Sequence, residues 1–283
     1  MKLTHLLTAA LLLASPSFAQ DAEAPSVEGK SFQERMEATM LRAAPPILRK
    51  TSEALKQPWD ANISLNMEME MATVEAGGTF SFFSPRLFSA NMNFSIDVEG
   101  QEMDARIQAV ADDDYLNVFI EASELPMPQA VKLDLDVMEE LTGQDDNTIA
   151  SLDMLGMGIE DLETMFSKIE FKESKLDDGA TIRISYDLSA ILETMYAQFG
   201  IDFDTMSIEL DVNAKTSFIQ KISVDLGDIG SGSCTFSNVS FPEEFDETKY
   251  VFEAPQGVPV MDVTGMLSAG MQESASLGGE EEF

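Results

Sequence analysis

The chain predicts an α+β fold: one curved antiparallel sheet forms an unclosed β-barrel, and helices cover its concave apolar face. Three observations carry this expectation. Ile63, Leu65, Met67, Met69 and Met71 alternate with Asn62, Ser64, Asn66, Glu68 and Glu70, a period of two that cannot make a helical stripe and leaves one face apolar and the other wet. The alternation returns in several short segments joined by tight turns, as in an antiparallel meander. Helical periodicity near the start and in the middle supplies cover for the apolar face, which must either curl around a cavity or pack flat on helices.

The elements follow in order. Lys2, the apolar run Leu6 to Ala14 and the small-residue exit Ser17-Phe18-Ala19 read as a secretion signal over 1–19, cleaved near Ala19. Its apolar core is too short to span a bilayer, so a periplasmic or secreted location is expected. Residues 20–30 are small, polar and acidic, and read as a flexible leader. Ser31-Phe32-Gln33-Glu34 fits a capping box and opens a helix with Phe32, Met36 and Met40 on one face. Pro45-Pro46 interrupts it, because proline lacks the amide donor and restricts the residue before it. A second helix then places Ile47, Leu48, Thr51 and Leu55 together, and Trp59 packs where this arm meets the first strand.

After that strand, Gly77-Gly78 is read as a reversal, followed by a strand from Thr79 to Phe83. The next carries Phe88, Ala90, Met92, Phe94, Ile96 and Val98, turns at Glu99-Gly100-Gln101, and leads to Met103, Ala105, Ile107 and Ala109. Beyond Asp112-Asp113-Asp114 comes a strand with Leu116, Val118 and Ile120. The segment 133–168 reads as helical, with helices over 148–155 and around Ile159, Leu162, Met165 and Phe166. Strands over 169–176 and 180–186 flank Asp177-Asp178-Gly179, a hairpin turn in which glycine accepts positive φ. A helix over 188–199 stops at Gly200. Strands follow over 206–212, 218–226 and 233–241, and a last one near Tyr250 to Phe252. Residues 31–262 form one domain, and 263–283 a flexible acidic tail.

Composition excludes several function classes. The formal charge of −34 repels phosphate backbones, so no nucleic-acid partner is expected. With 44% hydrophobic residues and 18 Phe the chain builds a core, so the acidity belongs to a folded surface. Solubility or a saline habitat explains that acidity, and so does a face that docks a basic protein partner. The one histidine, His5, lies in the signal. The mature chain therefore has no imidazole for a Ser-His-Asp or Cys-His arrangement, and no Gly-x-Ser-x-Gly elbow is present. Zinc, copper and iron sites of the usual nitrogen and sulfur type cannot be assembled.

Asp112-Asp113-Asp114 and Asp145-Asp146 lack calcium-loop spacing and read as solvated turn acids. No cofactor, no metal and no enzymatic activity are expected. Cys234 is the only cysteine; it can form no internal disulfide and sits far from the cleavage point, so it offers no stable membrane anchor. Its alternation with Phe236 reads as a buried thiol. The 18 methionines are explained by core packing or by an adaptable cavity, since a flexible thioether serves both.

Two stretches carry a family resemblance. The run Gly78-Thr79-Phe80-Ser81-Phe82-Phe83-Ser84-Pro85-Arg86-Leu87-Phe88 resembles the strand-proline-strand signature of the LolA-type periplasmic lipoprotein carriers. Phe252-Glu253-Ala254-Pro255-Gln256-Gly257-Val258 is similar to the end of that family's closing strand, and Val110 to Val118 stands where the family has an acidic-glycine turn and an apolar strand. Ser84 replaces the family's arginine before the proline, so the role of that arginine in tying lid to barrel does not carry over to Ser84, and Arg86 takes a different register. Asp114 replaces the turn glycine.

The resemblance implies an unclosed barrel with a lipophilic cavity under helices, and a soluble carrier whose partners are lipid or lipoprotein acyl chains. The residues expected to line that cavity are Leu65, Met67, Met69, Phe80, Phe82, Met92, Phe94, Met154, Met157 and Met165. The alternative reading is a non-enzymatic acidic binding or scaffold protein of the cell envelope that docks a basic partner.

Overall fold

A computed structural model describes residues 44–142, 169–189 and 205–266. The expected helices over 31–43, 148–155 and 159–166, the expected helix over 188–199 beyond Ser189, and Asp145-Asp146 lie outside these residues. Helix α1, Pro46–Leu55, begins where the sequence places it: Pro45 is the N-cap and Pro46 opens the first turn, a position where the missing N–H costs nothing. Thr51 and Ala54 are buried along it. The Thr51 hydroxyl donates to the Ile47 carbonyl at 3.0 Å and so satisfies itself within the helix.

Twelve strands form one open sheet: β1 Trp59–Met69, β2 Ala72–Ser84, β3 Leu87–Val98, β4 Gln101–Asp112, β5 Tyr115–Ala122, β6 Gln129–Asp134, β7 Phe171–Lys175, β8 Thr181–Asp187, β9 Ser207–Asn213, β10 Ile219–Asp225, β11 Gly230–Ser240 and β12 Val260–Asp262. The spatial order is β12-β6-β5-β4-β3-β2-β1-β11-β10-β9-β8-β7. Two antiparallel meanders, β1 to β6 and β7 to β11, are joined by pairing β1 with β11. Among the described residues the sheet does not close, since β7 and β12 are its edges, and only β12 runs parallel to its neighbour. The β7 edge exposes Lys172, Glu173, Ser174 and Lys175, charges that discourage a further strand from pairing.

The register sorts the side chains into two faces. One row reads Ile222, Cys234, Leu65, Ala76, Phe94, Ala105 and Ala122 from β10 to β5; a parallel row reads Phe236, Ile63, Gly78, Met92, Ile107 and Ile120. This is the apolar face. The opposite face carries Asn62, Ser64, Asn66, Thr79, Asn91, Asn93 and Gln108. Bulges between Asp60 and Asn62, Phe82 and Ser84, and Ile219 and Lys221 fall toward one end of the sheet, where bulged strands bend and twist more strongly.

Four details of the connections depart from the sequence reading. The β1–β2 reversal is at Glu70-Met71, not at Gly77-Gly78, which sit mid-strand in β2. A glycine pair signals a turn only when positive φ is needed. Here Gly78 serves close approach, because a Cβ on it would fall on the Asn91 carbonyl oxygen of β3. Met71 consequently leaves the apolar row and is exposed at the turn. The segment from Leu133 is not wholly helical: β6 runs to Asp134, and helix α2, Leu135–Thr142, starts directly after it. The Asp134 carboxylate accepts from the backbone N–H groups of Asp136 and Val137 and so ends the strand by capping the helix.

The strand expected near Tyr250 is a 3-10 turn, Glu247–Tyr250. Here the chain packs on β3 and β4 and later reaches β6 as β12. The Asp177-Asp178-Gly179 hairpin is as expected, with Gly179 at φ 69°.

This crossing segment is tied down at both ends. Lys249 Nζ donates to Asp60 Oδ2 at 2.8 Å, Tyr250 is buried, and beyond β12 the Val263 N–H donates to the Lys132 carbonyl at 3.0 Å. Burial, with the Asp60 and Asp246 carboxylates adding to it, pushes the Tyr250 phenol up to about 12. An unfolded tyrosine ionises near pH 10, so this contribution to stability is complete below about pH 10 and is lost as pH rises toward 12. Urea midpoints measured at about pH 9 and about pH 11 are expected to fall between the two values in the wild type and to fall less in Tyr250→Phe. Tyr186, also raised by burial, keeps its own share. Equal falls in both proteins would exclude Tyr250 as a source.

Arg86 joins three pieces at the other surface. It lies in the β2–β3 turn, its Nε donates to the Asp113 carbonyl at 2.7 Å, and its Nη2 donates to Asp136 Oδ1 in the first turn of α2 at 2.7 Å. Ser84 has no such reach. The ion pair with Asp136 is largely in water and contributes about 1 kcal/mol or less, so it orients α2 more than it stabilises the sheet.

Candidate functional site

The apolar face is the candidate site, and its two ends differ. At the α1 end six buried residues, Trp59, Ala61, Ile63, Phe80, Phe82 and Phe218, form a solid cluster, with Leu55, Phe88, Cys234 and Phe236 packed against it. Trp59 is at its centre. Its ring stacks on Phe80 at 5.0 Å between centroids, meets Phe218 edge-on at 5.1 Å, and donates from Nε1 to the Leu55 carbonyl at 3.3 Å. The sequence assigned Trp59 this packing role.

Toward the other end burial relaxes along several strands. On β1 the inward residues Trp59, Ala61 and Ile63 are buried, whereas Leu65, Met67 and Met69 are half-buried. On the other meander β10 and β9 follow suit: Ile219 and Val212 are buried, while Ile222, Val224, Leu210 and Ile208 are half-buried; on β2 and β3, by contrast, Val74, Ala76 and Ile96 stay buried. The pleat sets this face, because residues two apart point the same way.

Seven of the ten residues expected to line a cavity share this face: Leu65, Met67 and Met69 on β1, Phe80 and Phe82 on β2, and Met92 and Phe94 on β3. The structure divides them. Phe80 and Phe82 belong to the solid cluster and Met92 packs half-buried against it, whereas Leu65, Met67, Met69 and Phe94 are half-buried beyond it. Met154, Met157 and Met165 lie outside the described residues.

Glycines explain how two of the methionines sit. A Cβ on Gly232 would come within 3.2 Å of Met67 Cγ, and one on Gly78 within 2.8 Å of Met92 Sδ. Each thioether therefore lies over a gap left by a missing side chain on the next strand, a use that suits a flexible, polarizable group. The surface so formed is apolar, without titratable side chains among these residues. Cys234, opposite Leu65, fits it: burial pushes the thiol up to about 11, so it stays protonated and acts as a small hydrophobe.

The acids sit elsewhere and are engaged in turns. Asp112 Oδ1 accepts from the Tyr115 N–H at 2.8 Å and Oδ2 from Asn117 Nδ2 at 3.2 Å. Asp178 accepts from the N–H groups of Ala180 and Thr181, each at 2.9 Å; the Thr181 hydroxyl and these amides hold its carboxyl below the usual range. Among the described residues no three His, Cys, Asp or Glu side chains gather as a metal-holding group. On the polar face Arg183 grips Asp211 through two bonds of 2.7 and 2.8 Å and reaches Glu209 at 3.0 Å, a cross-strand tie between β8 and β9.

Sequence reasoning did not find a second concavity. A groove of about 770 Å³ lies against the exposed side of α1, lined by Arg49, Lys50 and Ser52, by Thr216 and Ser217 of the β9–β10 turn, and by Phe241. None of the expected cavity residues borders it. The available signal was the local charge: α1 with its C-cap carries Arg49, Lys50 and Lys56 against one acid, Glu53, in a chain of net charge −34.

No family model matches the chain, and no curated protein matches it. Among the described residues no helix is long and apolar enough to cross a membrane. Similar solved structures include lipoprotein LppX of Mycobacterium tuberculosis, at 14% identity over 74% of this chain and 99% of that one with a TM-score of 0.38. LprF of Mycobacterium bovis is 13% identical over 82% of this chain and 100% of its own, with a TM-score of 0.36. An uncharacterized conserved protein of Thermus thermophilus is 12% identical over 76% of this chain and 96% of its own, with a TM-score of 0.37.

Proposed function

We propose that this chain is an exported, soluble, non-enzymatic binding protein that carries a lipophilic ligand, a lipid or the acyl part of a lipoprotein, against the apolar face of its open sheet. One observation supports this above the others: a single apolar face runs across the strands, solid at the α1 end and only half-buried around Leu65, Met67, Met69, Met92 and Phe94. An apolar surface left partly accessible costs about 25 cal/mol for each Å² that stays wet, and an acyl chain laid on it removes that cost without asking for any polar partner. The methionines favour ligands of varied shape, since their rotamers adapt at little energy.

The test is direct. Mature protein purified without detergent is expected to release lipid detected by native mass spectrometry, and the delipidated protein to bind an apolar fluorescent probe such as N-phenyl-1-naphthylamine. Leu65→Gln with Met67→Gln is expected to weaken the probe by roughly tenfold or more, because each change places an amide where no partner awaits it. Probe affinity equal to that of the wild type would sink the proposal.

A further inference from the structure

The groove between α1 and the β9–β10 turn reverses the sign of the molecule. Its walls carry Arg49 and Lys50 against Glu53, and Glu53 is engaged by Lys56 at 3.4 Å. At physiological ionic strength charges more than about 8 Å away are largely screened. An anion seated here therefore responds to the local cations rather than to the distant acids that set the net charge of −34.

The remaining lining suits an anion with a tail. Asn213 Oδ1 accepts from the N–H groups of Lys215 and Thr216 at 2.9 and 3.1 Å, which fixes the turn. Ser217 is held at φ 58°, and its N–H donates back to the Asn213 carbonyl at 2.8 Å. Thr216 Oγ1 accepts from the Phe218 N–H at 3.4 Å, leaving its own proton to donate. Ser52, Thr216 and Ser217 thus offer three hydroxyls beside two cationic side chains. The groove also contains Phe241, 37% exposed, whose ring rests edge-on against Phe218 of the buried cluster at 5.7 Å. A rigidly backed aromatic surface next to cations and hydroxyls recognises both halves of an amphiphile.

We propose that this groove binds the anionic headgroup of a single amphiphile, with the headgroup at Arg49 and Lys50 and the first methylenes over Phe241. The volume, about 770 Å³, falls in the range of small-molecule sites. The site shares no residue with the half-buried apolar face and does not depend on that face carrying a ligand.

The experiment is calorimetric titration of the mature protein with dodecyl phosphate, dodecyl maltoside and inorganic phosphate, the detergents kept monomeric. Dodecyl phosphate is expected to bind with an affinity that falls as salt rises, and to lose roughly tenfold or more in Lys50→Glu and in Arg49→Gln with Lys50→Gln. Dodecyl maltoside is expected to be indifferent to these changes, and inorganic phosphate to bind at least about 100-fold more weakly than dodecyl phosphate, because it gains nothing from Phe241.

Three results would each overturn the proposal: unchanged affinity for dodecyl phosphate in the variants, inorganic phosphate binding as tightly as the amphiphile, or an equal loss for dodecyl maltoside. Leu65→Gln with Met67→Gln separates the two sites, since it is expected to leave the salt-sensitive part of dodecyl phosphate binding intact.

Discussion

Trp59→Ala is expected to lower the free energy of unfolding by about 3–5 kcal/mol, the range for removing a large buried aromatic side chain. Trp59 is 3% exposed and touches rings from three other parts of the sheet: Phe80 and Phe82 on β2, Phe218 before β10, and Phe236 on β11. Because β1 holds the two meanders together, the cavity would open where they join. The indole also satisfies the Leu55 carbonyl at the end of α1. Trp59→Phe separates these effects: it keeps most of the packing, loses that bond, and is expected to cost about 1 kcal/mol for the bond plus a smaller void. Urea unfolding followed by far-UV circular dichroism reads both, since the reporter tryptophan is gone. A loss below about 1 kcal/mol for the alanine variant would mean that the cluster is not the core of the fold.

Gly78→Ala and Gly77→Ala, one residue apart, are expected to behave oppositely. A Cβ on Gly78 would collide with the Asn91 carbonyl oxygen and crowd Met92 Sδ at 2.8 Å; the backbone of β3 must shift, at about 1–3 kcal/mol or more. A Cβ on Gly77 meets nothing nearer than the Ile63 carbonyl oxygen at 3.9 Å. That substitution is expected to be neutral or to stabilise by a few tenths to about 1 kcal/mol, through reduced freedom of the unfolded chain. Denaturation midpoints of the two variants against wild type decide the matter, and equal effects would refute the close approach of β2 and β3.

The same glycine pair shows where sequence reasoning stopped. Period-two alternation located most strands because each has one wet face, and the Glu99-Gly100 and Asp178-Gly179 turns were legible because they use positive φ. Gly77-Gly78 carries the same letters for another reason, which exists only once Asn91 is beside it. The strand β6 escaped because Val131 and Leu133 alternate over just six residues before Asp134 caps a helix, too short a run to separate from the helical pattern that follows. The last strand escaped because three exposed residues pairing in parallel leave no periodicity at all.

Seven of the proposed lining residues were placed on one face by alternation alone. That Phe80 and Phe82 belong to a solid end and Leu65, Met67 and Met69 to a looser one was not legible, because it depends on Phe218 and Phe236 arriving from far along the chain. The groove beside α1 was missed for a similar reason: Lys50 and Thr216 are brought together only by the fold.

The pairing of β1 with β11 also bears on how the chain comes to be folded. The meander from β1 to β6 uses neighbouring segments and is free to assemble early, yet the cluster around Trp59 remains unfinished until β10 and β11 have been delivered. Contacts this distant in sequence slow folding, because the intervening chain must first be gathered at an entropic cost. A polypeptide whose core waits for its last third completes that core only when most of the chain is present, so the Trp59 cluster is expected to close after the first meander has formed.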